Sequence, residues 1–351
     1  MKAPQNLLII RTDRIGDVVL SLPMAGIIKK HLPGCKVAFL SRNYTKGLVN
    51  NHPDVDETIV LKEENGKPVL FGNVSLIKKY DFDAAIIVYP TFFLALIIFL
   101  SGIKTRIGTG YRWYSFLFTN KIYSHRKYAD KHELEFNVEL LKQIGINENI
   151  NAGTVKFNLT VNKEAAEKVN NIFRENGIDD KKPVIIFHPG SGGSAVDLPI
   201  EKFKKLVTMV DNSGKFHVVL TGSKTEKNIC EEIKSSDNVK NFAGLFDLPE
   251  LVALINRADI FVANSTGPLH IAAALGKSVI GFYPKIQACS AERWGPYSTK
   301  SFIFTPGIDC SNCTREQCEQ LNCMNSINLN EVFESIESIY RNLSLDGEIH
   351  V

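Results

Sequence analysis

Short apolar runs alternate with stretches whose apolar positions recur every three or four residues, from the first ten residues almost to the last. The runs read as buried parallel strands and the periodic stretches as covering helices, the alternation that marks βαβ units. Residues 7–11 are the first predicted strand, followed by a helix over 17–32 that Pro33-Gly34 closes. Strands follow at 36–40, 58–61 and 84–88, then a helix at 131–144 that ends at Gly145, where left-handed backbone stops helices. Residues 147–180 are polar and Asn-rich and read as a connection, with a strand-like VKFNLTV and then a charged helix. A second series begins at 183. Strands are predicted at 183–187, 217–221, 259–263 and 278–282, and helices at 199–210, 226–233, 247–257, 268–275 and 330–343. The chain therefore reads as two Rossmann-like halves, 1–165 and 166–328, closed by a helix and tail over 329–351. In such sheets ligands lie outside the carboxyl ends of the strands.

Composition narrows the class. At 351 residues with 44% hydrophobic and 23% charged positions, the chain has material for two buried cores and is not disordered. A formal charge of +3 is too small to make a nucleic acid the expected partner, and suits an anionic small molecule or an anionic membrane surface. The N-terminus has only a four-residue apolar run, Leu7 to Ile10, which predicts a cytoplasmic protein without a secretory signal. The uncharged segment 84–102 approaches the length of a membrane span, but Pro90 divides it into a strand-like and a helix-like run. Phe92, Phe93 and Phe99, with Lys104, Arg106 and Arg112 behind them, are candidates for touching a membrane surface.

Three loops leave predicted strand ends with unusual residues. In Arg11-Thr12-Asp13-Arg14-Ile15-Gly16-Asp17, Gly16 permits a tight backbone, and Asp17 has two readings. It caps the following helix, or it is a general base that takes a proton from an acceptor hydroxyl. Arg11 and Arg14 are candidates to orient an anionic acceptor. The second loop, His188-Pro189-Gly190-Ser191-Gly192-Gly193-Ser194, has the small residues of an anion-binding nest. Gly190 to Ala195 formally matches a dinucleotide fingerprint, but Asp197 and Pro199 look like the cap and first turn of the next helix. The loop is then too long for that turn, which ranks a nicotinamide dehydrogenase last. It is not a P-loop either, lacking the terminal Gly-Lys-Ser/Thr. In the third loop, Asn264 to His270, Pro268 suits a first helical turn, whose exposed N–H groups and dipole would hold a diphosphate. His270 is either a phosphate donor or a buried histidine bonded to backbone.

The motifs LLIIRTDRIGDVVLSLP, FHPGSGGSAVDLPIEKF, LTGSKTE and NSTGPLHIAAALGK, in that order, resemble glycosyltransferase family 9. That family includes the ADP-heptose:lipopolysaccharide heptosyltransferases. KHELEFNVELL and RIGTGYRWYSFLF are similar to its N-terminal domain. The resemblance implies an α/β GT-B fold, two Rossmann-like domains facing each other across a cleft, and metal-independent transfer with inversion. It makes Asp17 the base that activates an acceptor hydroxyl. Donor diphosphate contacts then fall on Gly190, Ser191, Gly192, Gly193 and Ser194 and on Ser265, Thr266, Gly267 and His270. Glu226 is the acid at the nucleotide ribose, and Leu245 and Phe246 are candidates for the nucleobase. On the acceptor side stand Arg11, Arg14, Gly16, Arg106 and Arg112, with Arg126, Lys127, His132 and Glu133 as further positions, though surface helix sites explain His132 and Glu133 equally well. No cofactor is implied beyond the nucleotide-sugar, ADP-heptose in the first instance. The acceptor would be a lipid-linked lipopolysaccharide core at the inner membrane, with the enzyme peripheral to it.

Two positions depart from the family pattern. Val196 stands where the family carries a lysine for the donor phosphate, with Lys224 and Arg293 as candidates to replace that cation. Ser265 stands where an acid precedes the small-residue-Gly pair. These departures keep open a transferase for a different nucleotide-sugar, an epimerase, or a non-catalytic sugar-nucleotide-binding relative. Cys310, Cys313, Cys318 and Cys323 form a spaced cluster with two readings, a structural zinc site or packed thiols.

Overall fold

The computed structural model describes residues 3–308 and 313–345. It divides into two compact units, one running to Arg126 and resuming over Lys131–Thr160, the other holding Lys127–Asp130 and the described residues from Val161 on.

Each unit is built on a six-stranded sheet. In the first, β1 (Asn6–Ile10), β2 (Lys36–Ser41), β3 (Glu57–Val60), β4 (Ala84–Ile87), β5 (Thr105–Thr109) and β6 (Asn120–Ile122) lie in the order β3-β2-β1-β4-β5-β6. In the second, β7 (Val184–His188), β8 (His217–Leu220), β9 (Lys240–Asn241), β10 (Ile260–Asn264), β11 (Ser278–Phe282) and β12 (Ser301–Phe304) repeat that arrangement as β9-β8-β7-β10-β11-β12. Every pairing within the two sheets is parallel. This is the doubly wound order, in which the chain reverses direction beside the first strand. Loops after β1 and β4 part at one such switch point, and loops after β7 and β10 part at the other. The central strands are apolar along their whole length because helices cover both faces: Leu7 to Ile10 and Val184 to Phe187 are all buried.

The predicted helix over 17–32 is two helices, α1 (Ile15–Val19) and α2 (Pro23–His31). Pro23 has no N–H, and the chain fills the gap with a tight turn in which Ser21 and Leu22 donate to the carbonyls of Val18 and Val19 at 2.9 and 3.2 Å. The Leu20 carbonyl, freed by the break, accepts from Asn137 Nδ2 at 3.1 Å. Residues 84–102 resolve into β4 and α3 (Phe92–Leu100), and no helix among the described residues is long and apolar enough to cross a membrane. The predicted helix at 131–144 is α4 (Glu133–Glu139) with a 3-10 extension, Leu140–Ile144, ending at Gly145 with φ +84°.

The strand-like VKFNLTV forms no strand. Asn158 has φ +49°, which breaks the extended run, and its side chain donates to Asp54 at 2.7 Å while His52 Nε2 meets the Phe157 carbonyl at 2.8 Å. The charged helix after it is α5 (Lys163–Glu175). In the second unit α6 (Ile200–Ser213), α7 (Gly267–Ala274) and the closing α8 (Leu329–Leu345) cover the sheet, and Val332, Ile336 and Ile339 of α8 enter its core.

Cys318 and Cys323 lie in the same core, beside Met324 and Ile327. Cys310 lies outside the described residues, and among the described residues no three metal-ligating side chains gather.

Candidate functional site

In the first unit the loop after β1 carries a buried charge cluster. Arg11 is 1% exposed, yet it is ionised, because its guanidinium meets three carboxylates. Its Nε donates to Asp13 at 2.7 Å, one Nη to Asp17, and the other to Glu133 and Asn137 at 3.3 Å each. Burial alone would pull the Arg11 pKa down; Asp17, Asp13 and Glu133 together hold it above the ordinary range. Asp13 moves the other way. Burial, aided by the negative charge of Asp17, lifts its carboxyl to about 6 against the pull of Arg11. Tyr44 donates its hydroxyl to the Asp13 carbonyl and closes the outer side of the loop, and the Tyr89 ring stands 6.0 Å from the Arg11 guanidinium.

Asp17 sits inside the first turn of α1, one residue past Gly16, and both are buried. It is not the cap of that helix: the cap position is Arg14, whose side chain makes no capping bond. The Asp17 side chain keeps 12% of its surface open, enough for one oxygen to meet a ligand while the other is held by Arg11. Arg11, expected to reach toward an acceptor, has its donors committed to protein partners and acts on Asp17 instead. Arg14 is exposed.

Glu133 is not a surface helix position. It is 1% exposed and accepts from both Arg11 and Arg126. His132 caps α4, its ring nitrogen accepting from the Leu134 N–H at 3.2 Å in a reciprocal box with Glu135. Arg106 is likewise spent locally, donating to the carbonyls of Leu117 and Ile103 at 2.7 and 2.6 Å and stacking 5.2 Å over Phe99. Arg112 is exposed in the turn after β5.

In the second unit the loop after β7 is shaped by two left-handed glycines, Gly192 at φ +58° and Gly193 at +76°, a conformation open to glycine at no steric cost. Ser194 closes the turn, its N–H and hydroxyl donating to the Ser191 carbonyl at 3.2 and 2.9 Å. Asn264, at the end of β10, ties the loop down at both ends. It donates to the Pro189 carbonyl at 2.6 Å and accepts from the Leu198 N–H at 2.9 Å. Arg315 clamps the middle, donating to the carbonyls of Gly193 and Ala195 at 3.0 and 3.1 Å. Asp197 is not a helix cap; the cap position of α6 is Pro199. Neither Asn264 nor Arg315 was singled out for this task by residue type or spacing.

Gly190 abuts the Glu226 carboxylate so closely that a Cβ there would collide with it. Glu226 is held in place by the Ser223 N–H at 2.7 Å, the closing bond of a capping box. Beneath the loop, His188 is buried, its Nδ1 2.9 Å from Thr221 Oγ1, and desolvation holds its pKa down to about 4. The imidazole is therefore neutral at physiological pH.

Thr266 is the cap of α7 and makes no side-chain cap bond; in the first turn Pro268 has no N–H and the Leu269 N–H donates to the Thr266 carbonyl at 3.2 Å. His270 is 5% exposed within that turn. Ser265, standing where the family has an acid, lies against the hydroxyl of the buried Tyr283, which also donates to the Trp294 carbonyl at 2.8 Å. Val196 is buried in the apolar core, so no cation is presented from that position. Leu245 is exposed and Phe246 half-buried at the turn after β9, the Phe246 ring edge-on to Phe242.

The family model for glycosyltransferase family 9 (heptosyltransferase) matches residues 75–324. A Haemophilus influenzae protein named only as a candidate glycosyltransferase is 30% identical over 312 residues, covering 86% of this chain and 89% of that protein. Lipooligosaccharide heptosyltransferase 2 of the same organism is 26% identical over 291 residues, 79% of this chain and 83% of its own length. Among solved structures, Escherichia coli ADP-heptose lipopolysaccharide heptosyltransferase II superposes with a TM-score of 0.78 at 19% identity, covering 97% of this chain and 99% of that one. The fold is thus the GT-B fold that the motif order implies.

Proposed function

The chain belongs to glycosyltransferase family 9, and on that premise we propose that it moves a sugar from a nucleotide-diphosphate donor onto a hydroxyl of a lipid-linked oligosaccharide. Asp17 is the general base. The acceptor oxygen attacks the anomeric carbon, the bond from that carbon to the diphosphate breaks, the configuration inverts, and the hydroxyl proton passes to the Asp17 carboxylate. The observation that carries this reading is the partly open Asp17 side chain, oriented by a buried arginine at the end of a central strand. A carboxylate fixed in this way loses little entropy on engaging a hydroxyl.

The charge that develops on the leaving diphosphate falls to the second unit. Gly190 to Ser194 and Ser265 to His270 supply N–H groups and hydroxyls for it, and Glu226 takes the ribose hydroxyls. Leu245 and Phe246 flank the nucleobase. No step of this scheme calls for a metal ion. ADP-heptose is the first donor to test, because lipopolysaccharide and lipooligosaccharide heptosyltransferases are among the chain's relatives. The acceptor on this reading is a lipopolysaccharide core at the cytoplasmic face of the inner membrane.

A second reading, a transferase for a different nucleotide-sugar, draws on two side chains. Buried Val196 and Tyr283-paired Ser265 take a cation and an anion away from the donor site, which alters what it recognises in the sugar. Turnover of ADP-heptose and other nucleotide-sugars with a lipid-A core acceptor separates the two. Asp17→Asn should lower transfer by at least about a hundredfold while donor binding persists. Full activity in that variant would remove Asp17 from the chemistry. Failure of every donor to bind would remove the transferase reading itself.

A further inference from the structure

Helix α3 is apolar on every side. Its inner positions, among them Leu94, Ala95, Ile97 and Ile98, fill the core of the first unit, but Phe92, Phe93, Phe99 and Leu100 repeat on the outer face at helical spacing. Phe93 is 49% and Phe99 45% exposed, on a face where a surface helix ordinarily carries polar residues. The turn after β5 widens this face. Trp113 stacks on Phe92 with ring centroids 4.9 Å apart, yet is 73% exposed, and Phe116 in the 3-10 turn packed beside α3 is 67% exposed. An exposed patch of this size on one element marks an interaction surface.

Charge says what covers it. From Ala84 to Ala129 the chain has no Asp or Glu, whereas Lys104, Arg106, Arg112, Lys121, Arg126 and Lys127 all fall within that stretch. Arg106 stacks on Phe99 at the border of the apolar face, and Arg112 is exposed beside Trp113. A protein partner would need only apolar complementarity, and a second copy would bring like charge against like. Exposed aromatic rings, with Arg106 against Phe99, Arg112 next to Trp113 and no Asp or Glu in the whole segment, fit an anionic phospholipid surface.

We propose that α3 and the turn carrying Trp113 and Phe116 form a docking face for anionic phospholipid bilayers. The rings enter the headgroup layer, and the exposed Lys104 and Arg112 pair with lipid phosphates. This deepens the reading of a lipid-linked acceptor, on which its purpose rests. Tyr89, whose ring stands over Arg11, lies three positions before α3, so the docking element follows directly in the chain on a residue that touches the Asp17 cluster.

The test is co-sedimentation of the full chain with vesicles of phosphatidylethanolamine and phosphatidylglycerol, and with phosphatidylcholine vesicles, in the absence of donor and acceptor. It does not depend on transfer, so its failure and the failure of the transferase reading are distinguishable. Binding is expected to the anionic vesicles only and to weaken with salt. Trp113→Ser/Phe116→Ser should lower it about tenfold or more, and Leu321→Ser, an equally exposed apolar residue in the second unit, should leave it unchanged. In a Trp294→Phe background, the emission of Trp113 should shift to the blue as anionic vesicles are added. Absence of binding, equal binding to phosphatidylcholine, or full binding by the double variant overturns the proposal. So does a wild type that self-associates through this face, seen as a dimer in sedimentation that Trp113→Ser/Phe116→Ser converts to monomer.

Discussion

Arg11 holds Asp17 by a direct bond from a guanidinium that is itself shut away from solvent, so the proposed base and its orienting cation form one buried unit. Removing the cation leaves Asp13 and Asp17 in a low-dielectric site without their counter-charge, while Glu133 keeps Arg126. Arg11→Gln should therefore destabilise the first unit by about 3–5 kcal/mol, the range for breaking a buried pair from one side. Arg11→Lys keeps the charge but not the fork that reaches Asp13, Asp17, Glu133 and Asn137 together, and should fall between. Denaturant melts of the three proteins decide this. Equal stability of wild type and Arg11→Gln would mean that the cluster contributes nothing to the fold.

Asp13 makes the site sensitive to pH. Its carboxyl ionises at about 6, and its charge faces Asp17 across the shared Arg11. Below that pH Asp13 is neutral and Arg11 is left to Asp17 and Glu133; above it the Asp13 carboxylate draws on the same guanidinium and loosens the hold of Arg11 on Asp17. Transfer measured as kcat/KM should accordingly rise with pH through about 6, and Asp13→Asn should flatten that limb while leaving the fold intact. An unchanged limb in Asp13→Asn would assign it to another group.

The central strands were legible because fully buried parallel strands leave continuous apolar runs: Leu7 to Ile10 and Val184 to Phe187 cannot be mistaken for surface. The marginal strands were not. Asn120–Ile122 and Lys240–Asn241 are too short and half-buried to carry a pattern. Of the site, glycine loops and helix N-termini show themselves by residue type, whereas Arg315 does not. It reaches across some 120 positions of sequence to two backbone carbonyls, and carbonyls have no signature in a sequence. Glu133 was misplaced for a related reason. It is a carboxylate on a short helix that also buries Leu134, Phe136 and Val138, and the cations that give its burial a cause, Arg11 above all, lie outside that helix. Pro23 was a plain signal for the break in the first helix that the strong periodicity around it obscured.

Gly190 and Glu226 form a pair in which the absence of a side chain is the functional feature. Gly190→Ala should drive the Glu226 carboxylate off the Ser223 N–H and out of the position proposed for ribose binding. Donor affinity, read by calorimetric titration of the nucleotide, should fall about tenfold, equivalent to about 1.4 kcal/mol. Adding Glu226→Ala removes the collision, so thermal stability should recover while affinity stays low. Recovery of affinity in the double variant would show that Glu226 makes no donor contact.

His188 couples the stability of the second unit to acid. Its pKa is about 4 in the fold, against an ordinary value of 6.5, because burial disfavours the imidazolium. The unfolded chain therefore binds a proton that the folded one refuses throughout the window from 6.5 to 4. Stability from this residue is intact above 6.5 and is lost as pH falls through that window, by about 3 kcal/mol at its lower end. His188→Gln keeps a hydrogen-bonding group for Thr221 and removes the titration. The difference in unfolding free energy between wild type and His188→Gln should thus shrink or reverse in favour of the variant as pH falls from 6.5 to 4. Parallel pH profiles of the two proteins would mean that water reaches the imidazole and that it titrates alike in the folded and unfolded chain.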